Sequence, residues 1–237
     1  MKQKSIHFFA VTALLLTVST RVSSAEMLDA VELIYKEIEE NTEPYTVRYK
    51  VTQDHIRIDD ESDSSGYIVF DIKGNTIYSV SHYDKSILVV PEYPHEPYRP
   101  EFELQVEYNA LDNAPTIQGR KVYNYRVTAV TTVTAETCMD LQLVPGLLPE
   151  VASSLQAFQK IVSSQQVINL ENTPAEFRTP CYMVDQIYNK GDYYSKGLPV
   201  QEWHSNERRR QLINFSRTEV DPAIFEIPQD YRQYSLK

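Results

Sequence analysis

Glycine is scarce in this chain, with six residues among 237. Loops that cradle phosphate groups need closely spaced glycines, and the sequence has no such loop. It also lacks the Gly-x-Ser-x-Gly turn that carries the nucleophile of many hydrolases. We therefore expect a protein that is not an enzyme, and no motif predicts a cofactor.

Basic residues are also few, because 23 Lys and Arg stand against 33 Asp and Glu, a net charge of −10. Nucleic acids and anionic lipid headgroups bind to positively charged surfaces. The only dense basic cluster is Arg208, Arg209 and Arg210 beside Glu207, which predicts a solvated hairpin turn. No nucleic-acid partner is expected.

Long hydrophobic runs are missing as well. The apolar stretch from Phe8 to Val18 is too short to span a bilayer. Lys2 and Lys4 precede it and small residues ending at Ala25 follow it, which is the pattern of a secretory signal peptide. We therefore expect a signal peptide over 1–25, and no lipid anchor, because the residue directly after Ala25 is Glu26 and not cysteine. The mature chain, 26–237, is then expected to be a single domain, soluble in the periplasm and without a transmembrane segment.

Only two cysteines are present, Cys138 and Cys181. An exported protein enters a compartment where thiols oxidise, which favours a disulfide between them. A pair of buried thiols and a single reactive nucleophile are the alternatives. The sequence marks no histidine and orienting acid for a nucleophile, so that alternative is the weakest.

The acidic residues show no complete metal-binding pattern. Asp59, Glu61 and Asp63 alternate like the start of a calcium loop, which needs glycine at its sixth position and an acid at its twelfth. Ser64 and Phe70 occupy those positions. A solvated acidic turn is the favoured interpretation, and no metal is expected.

Histidines are equally sparse, and no two have the His-x-x-x-His spacing of a zinc site. His82 with Asp84, and His204 with Glu202, could each pair a base with an orienting acid. Residues two apart in a strand share a face in any case. These pairs therefore do not by themselves indicate catalysis.

Tyrosine, valine, isoleucine and threonine are abundant, with 17 tyrosines in all. Such residues favour pleated, half-buried strands, and polar and apolar residues alternate in many short segments. Residues 29–40 fit both a helix and a strand. The predicted class is mainly β with minor α, with strands at 45–58, 67–72, 76–82, 86–90, 102–108, 121–130, 132–144, 181–188, 198–204 and 210–218.

One segment predicts a helix, beginning near Pro149, a residue suited to a first helical turn. Val151, Leu155, Phe158 and Val162 recur at spacings that place them on one helical face. Either this face completes the core and nothing binds, or the helix covers an incompletely filled cavity that holds an apolar ligand. These four residues are the candidate ligand-binding residues.

Four stretches in a fixed order carry a family resemblance. The chain resembles a bacterial exported family of no settled function that is related to the outer-membrane lipoprotein carriers, the LolA/LolB-like proteins. This resemblance implies a curved antiparallel sheet that forms an open half-barrel covered by one main helix, and it favours a strand over 29–40. The stretches are Ile68–Asp71 with the hairpin to Tyr78, Ile117–Lys121 leading to Tyr125–Val127, the Cys138 strand feeding the Leu155 helix, and Asp221–Phe225 followed by Pro228–Tyr231.

Functions from three classes remain open at this point. The first is a soluble periplasmic protein that binds or carries an apolar ligand, such as an acyl chain or lipid, in the concave face of the half-barrel. The second is an envelope protein–protein interaction module with no small ligand, and the third is a hydrolase without a recognisable motif. A cavity favours the first, an exposed apolar patch the second, and converging titratable groups in a cleft the third.

Overall fold

The computed structural model describes residues 26–60, 65–93, 103–111, 116–117, 119–170 and 172–235. The predicted signal peptide at 1–25 lies outside these ranges, as do Glu61, Asp63 and His95. Among the described residues, no helix is both long enough and apolar enough to cross a membrane.

Fourteen strands make up about half of the described chain. They are β1 Leu28–Ile38, β2 Tyr45–Val51, β3 His55–Asp60, β4 Gly66–Asp71, β5 Thr76–Ser81, β6 Ser86–Pro91, β7 Gln105–Leu111, β8 Thr116–Ile117, β9 Arg120–Lys121, β10 Tyr123–Val130, β11 Ala135–Val144, β12 Leu198–His204, β13 Arg209–Val220 and β14 Arg232–Tyr234.

Twelve of these strands form one open curved sheet in the order β14-β6-β5-β4-β3-β2-β1-β13-β12-β11-β10-β7, and β8 pairs with β9. Neighbours are antiparallel except β14, which runs parallel to β6. The prediction of a mainly β protein with one antiparallel sheet is confirmed. The residues that fitted both helix and strand form β1, in which Val31, Leu33 and Tyr35 alternate into the core.

The predicted helix is present as α1, Pro149–Leu170, and it packs on one face of the sheet. Val151 and Leu155 are fully buried there, and Phe158 meets Phe70 of β4 edge to face, with ring centroids 5.8 Å apart. Val162 is partly buried against the same core. The apolar face of α1 is therefore turned toward the sheet, as its spacing predicts, and we call this side of the sheet the covered face.

The strand predicted at 181–188 is wrong, because this segment is helical. It consists of α2, Pro180–Met183, and a single π-helical turn, Val184–Tyr188. The Thr179 side chain caps α2 by accepting a hydrogen bond from the Tyr182 backbone N–H at 3.2 Å. The buried apolar residues are Met183, Val184 and Ile187, a spacing that fits one helical face better than strand alternation. Short 3-10 turns cover Ala175–Phe177, Asp192–Lys196 and Pro222–Phe225.

The predicted disulfide is confirmed. It joins Cys138 of β11 to Cys181 of α2, with Cα atoms 5.0 Å apart. The bridge closes a loop with a sequence separation of 43 residues. In the chain-entropy model such a closure stabilises the fold by about 4 kcal/mol. It also fixes the 180–196 segment against the covered face.

Residues 221–234, which we call the strap, run across the opposite face of the sheet. Asp221 caps the first turn by accepting from the Ala223 N–H at 2.9 Å. Phe225 then packs beside Ala30 and Val69, which alternate with core residues in their strands. The strap ends as β14 on the edge of β6, so both faces of the sheet are partly covered.

Candidate functional site

A cavity of about 210 Å³ lies between α1 and the covered face of the sheet. One wall is apolar and is formed by Leu155, Phe158 and Val162 of α1 together with Met139 of β11. The other wall is polar, which differs from the apolar lining that the sequence suggested. It contains six ionisable side chains that we call the ionic cluster: Glu37, Asp185, Glu202, His204, Arg208 and Arg210.

Three of the four candidate ligand-binding residues therefore meet at one cavity. Val151 is fully buried nearer the start of α1 and lines a separate pocket of about 540 Å³, together with residues of β1, β2 and β13. The ligand-binding role of the four residues stays a prediction.

Strand register places the centre of the ionic cluster in a row across three neighbouring strands. Arg210 of β13 pairs with Glu37 of β1 on one side and with Glu202 of β12 on the other. Because side chains alternate along a strand, His204 shares the covered face with Glu202, while Trp203 between them points away and is partly exposed. A hairpin turn at 205–208 makes this register possible.

Most of the Arg210 side chain is shielded from solvent, so the prediction of three solvated arginines is wrong for this residue. Its side chain is 14% exposed, and its guanidinium carbon lies 3.9 Å from the centroid of the Tyr35 ring. Its Nε is 3.6 Å from Glu37 Oε1, and its Nη1 is 3.6 Å from Glu202 Oε1. Within the described chain, Arg210 Nε and Nη2 and Glu202 Oε1 have no hydrogen-bond partner. These atoms carry unsatisfied hydrogen-bonding capacity in a buried setting, which is costly.

His204 is held at both ring nitrogens. Nδ1 lies 3.1 Å from Asp185 Oδ2, and Nε2 lies 3.5 Å from Glu202 Oε2. Arg208 Nη2 lies 3.1 Å from Nε2. Burial lowers the pKa of His204, but the hydrogen bonds to Asp185 and Glu202 outweigh burial and raise it above its ordinary value. The two carboxylates therefore favour the protonated form of His204, although the nearby charge of Arg208 opposes this rise in pKa.

The pKa values of the two glutamates beside Arg210 shift in opposite directions, although burial tends to raise both. Burial tends to raise the pKa of Glu202, but the Arg210 charge and the His204 hydrogen bond lower it to about 2. Burial raises the pKa of Glu37 above its ordinary value, because the neighbouring Arg210 only partly opposes it. Glu202 is thus the fixed counter-charge of Arg210, and Glu37 is the more easily protonated partner.

Sequence reasoning missed Glu37, Asp185, Arg208 and Arg210 as members of this site. The predicted strands 198–204 and 210–218 flank a short turn and so indicate a hairpin, but the register that pairs Glu202 with Arg210 comes from the structure. The sequence carries no such signal for Asp185, because residues 181–188 fit a strand pattern. Asp185 reaches the cavity through the helical turn that follows Cys181.

The other constellations considered from sequence are engaged elsewhere. Asp59 lies in β3, where its carboxylate accepts from Arg57 Nε at 2.8 Å. His82 Nδ1 is 2.9 Å from the Tyr231 hydroxyl of the strap, and Asp84 accepts from Ser86 at 2.8 Å. Over the described ranges, no group of three or more His, Cys, Asp or Glu is placed to hold a metal ion.

No protein-family model matches the chain, and no curated protein matches it. Two solved structures of PNGF-II, in different space groups, align with TM-scores of 0.44 and 0.41 at 8% sequence identity. Each alignment covers 88% of this chain but only 32% and 31% of the PNGF-II chain, so this chain spans about a third of those proteins.

Proposed function

We propose that the protein is an exported, non-enzymatic binding protein whose cavity beneath α1 takes a small amphipathic ligand, such as a short acyl chain with a polar head. The periplasm as its location and a relation to the LolA/LolB-like carriers belong to this proposal. The observation that carries it is a single cavity with an apolar helical wall and a buried polar wall whose donors and acceptors are not all satisfied.

The apolar wall accounts for the hydrocarbon part of the ligand. Phe158 and Val162 are only partly buried by the protein itself, although they belong to the core-facing side of α1. A ligand that covers them gains the free energy of apolar burial, about 25 cal/mol for each Å² removed from water.

The size of the cavity limits the ligand. Sites for drug-sized molecules measure about 300 to 1,000 Å³. The cavity beneath α1, at about 210 Å³, is smaller than this range. A short acyl chain fits such a volume better than a complete lipid does, so we narrow the acyl-chain expectation to short chains.

Filling the cavity tests the proposal. Val162→Phe places a larger side chain in the apolar wall, and Lys160→Phe places the same side chain on the exposed face of the same helix as a control. We expect wild type and Lys160→Phe to bind hexanoate or hexanamide, measured by titration calorimetry and ligand-observed NMR. We expect Val162→Phe to lose at least tenfold in affinity for both compounds. If neither hexanoate nor hexanamide bound to wild type, the proposal would be wrong.

A second proposal, from a different class, is that the protein binds an extended segment of a partner protein along β13. β12 pairs with β13 only over Gln201–Trp203, and from Leu212 to Val220 the only strand paired with β13 among the described residues is β1. A groove of about 450 Å³ with a mixed polar and apolar lining runs beside this edge. A free strand edge with an adjacent groove is the arrangement used for strand addition. The groove is lined in part by Leu147, Val200, Leu212 and Phe215.

A further inference from the structure

A second arginine in the same sheet shows how a guanidinium in this fold binds a carboxylate. Arg126 of β10 donates from Nε to Asp140 Oδ1 at 2.8 Å and from Nη2 to Asp140 Oδ2 at 3.0 Å. The Nε and Nη2 atoms lie on one edge of the planar group, and this edge matches the two oxygens of a carboxylate. In Arg126 this edge is satisfied by the protein.

In Arg210 the same edge has no such partner. Neither Nε nor Nη2 has a hydrogen-bond partner in the described parts of the chain, and both atoms are buried. Nη1, on the other side of the group, faces Glu202, and the Tyr35 ring covers one face of the plane. The positive charge of Arg210 is therefore held in place, while its two-donor edge faces Glu37 at ion-pair distance and makes no hydrogen bond within the described chain.

We propose that the polar head of the ligand is a carboxylate, bound through two hydrogen bonds by Nε and Nη2 of Arg210. This inference rests on the proposed function, because it places the ligand in the cavity beneath α1. It narrows the ligand class to small carboxylic acids with an apolar body.

A second observation in the cavity supports a polar ligand at this point. The Glu202 side chain is 3% exposed and lines the cavity, and its Oε1 has no hydrogen-bond partner over the described ranges. Glu202 thus neutralises Arg210 at a distance of 3.6 Å without saturating it. Charge-assisted bidentate pairs are about twice as strong as neutral hydrogen bonds, so an acid is favoured over a neutral head group.

Glu37 is the protein's own competitor for this edge. Its Oε1 lies 3.6 Å from Arg210 Nε, which is beyond hydrogen-bond distance but close enough to repel a second carboxylate. Burial makes Glu37 the easier of the two flanking glutamates to protonate. A ligand carboxylate that binds Arg210 is therefore repelled less by Glu37 than it would be by a permanently ionised glutamate.

The test compares hexanoate with hexanamide, which share a shape and differ in the charge of the head group. We expect wild type to bind hexanoate at least tenfold more tightly than hexanamide in titration calorimetry. Equal affinities, with both lost in Val162→Phe, would overturn the carboxylate proposal and leave the proposed function standing. Failure of both compounds to bind wild type would overturn both.

Two variants test the role of Arg210 itself. Arg210→Lys keeps the charge but loses the two-donor edge, and we expect the preference for hexanoate to fall toward unity while hexanamide binding is kept. Glu37→Gln removes the competing carboxylate and leaves Arg210 in place. It provides a second test if Arg210→Lys does not fold. We expect Glu37→Gln to increase the preference for hexanoate several-fold. An unchanged or reduced preference in Glu37→Gln would mean that Arg210 does not receive the acid.

Discussion

At the scale of single residues, the ionic cluster stabilises the fold only as a set. Glu202 is almost completely buried between Arg210 and His204, and removal of one partner from such a set leaves a buried charge without compensation. Breaking a buried pair in this way costs about 3 to 5 kcal/mol. Conservative substitutions that keep charge or shape are therefore the informative ones at this site.

His204 makes the stability of the protein depend on pH. Its folded-state pKa lies above the ordinary value of 6.5, so protonated His204 stabilises the folded state. The stabilisation is complete below pH 6.5 and is lost as the pH rises through the raised folded pKa. We expect the free energy of unfolding of wild type to fall over that interval in urea titrations at stepped pH values.

Two substitutions separate this effect from the rest of the chain. His204→Asn should show a shallower decrease of unfolding free energy with rising pH than wild type, because the titrating group is gone. His55→Asn, in β3 on the side of the sheet that the strap covers, serves as the control and should keep the wild-type slope. Identical slopes in His204→Asn and wild type would show that Asp185 and Glu202 do not hold a proton on His204.

At the scale of secondary-structure elements, β13 differs from the other long strands. It is paired along its whole length with β1 but only at its start with β12. Ile213 is 52% exposed, and Asn214, Ser216 and Thr218 are also exposed along the unpaired stretch. A free edge of this length invites pairing with another strand.

Hydrogen exchange gives a direct prediction for this edge. Successive amides of a strand point to opposite sides, so from Asn214 to Glu219, beyond the bulge at Ile213, every second amide faces β1 and the others face the free edge. We expect protection to alternate along this stretch in amide exchange followed by NMR. A partner strand would protect the unprotected half, whereas hexanoate in the cavity would not. Uniform protection in the isolated protein would contradict a free edge and weaken the second proposal.

The sequence predicted most elements because apolar and polar residues alternate wherever one face of a strand is buried and the other is exposed. Val31, Leu33 and Tyr35 show this in β1, and the spacing from Val151 to Leu155 shows the equivalent for α1. The 181–188 segment was misread because Thr179 and Pro180 decide its conformation through a helix cap, which periodicity does not register.

The chemistry of the site was less predictable than the fold. Arginine is almost always solvated, so Arg210 was interpreted as a surface residue. Its burial depends on β13 lying between β1 and β12, and that arrangement brings together strands far apart in sequence. No local pattern contains this information. The sequence could indicate only the apolar wall of the cavity, because most of that wall belongs to one helix, α1.

At the scale of the whole molecule, the strap joins distant strands on the face opposite the cavity. Phe225 stacks on His55 of β3 with centroids 5.2 Å apart, and the adjacent Ile224 carbonyl accepts from Arg57 Nη1 at 2.6 Å. Further along, the Glu226 carbonyl accepts from the Tyr67 hydroxyl of β4 at 2.8 Å. The strap thus ties β13 to β3, β4 and finally β6.

Removal of the Phe225 side chain tests the importance of the strap. Phe225 is 7% exposed, and truncation of a buried phenylalanine costs about 3 to 5 kcal/mol. We expect Phe225→Ala to lower the free energy of unfolding by about 3 kcal/mol in urea denaturation, because the strap packs on one side only. Phe177→Ala, at a position 61% exposed, should change it by less than about 0.5 kcal/mol. Since the strap lies opposite the cavity, reduced hexanoate affinity in folded Phe225→Ala would argue against this division of roles.

The pairing of β1 with β13 also has a kinetic consequence. Leu28 pairs with Val220, so this ladder brings together nearly the two extremes of the described chain. Contacts between residues so far apart in sequence form slowly, because the chain loses the entropy of loop closure before the contacts contribute any stabilising free energy. Glu37 and Arg210 face each other across this same ladder, so the ionic cluster needs strands from both ends of the described chain. During synthesis, the cavity beneath α1 therefore cannot form until β13, the last long strand, has been made.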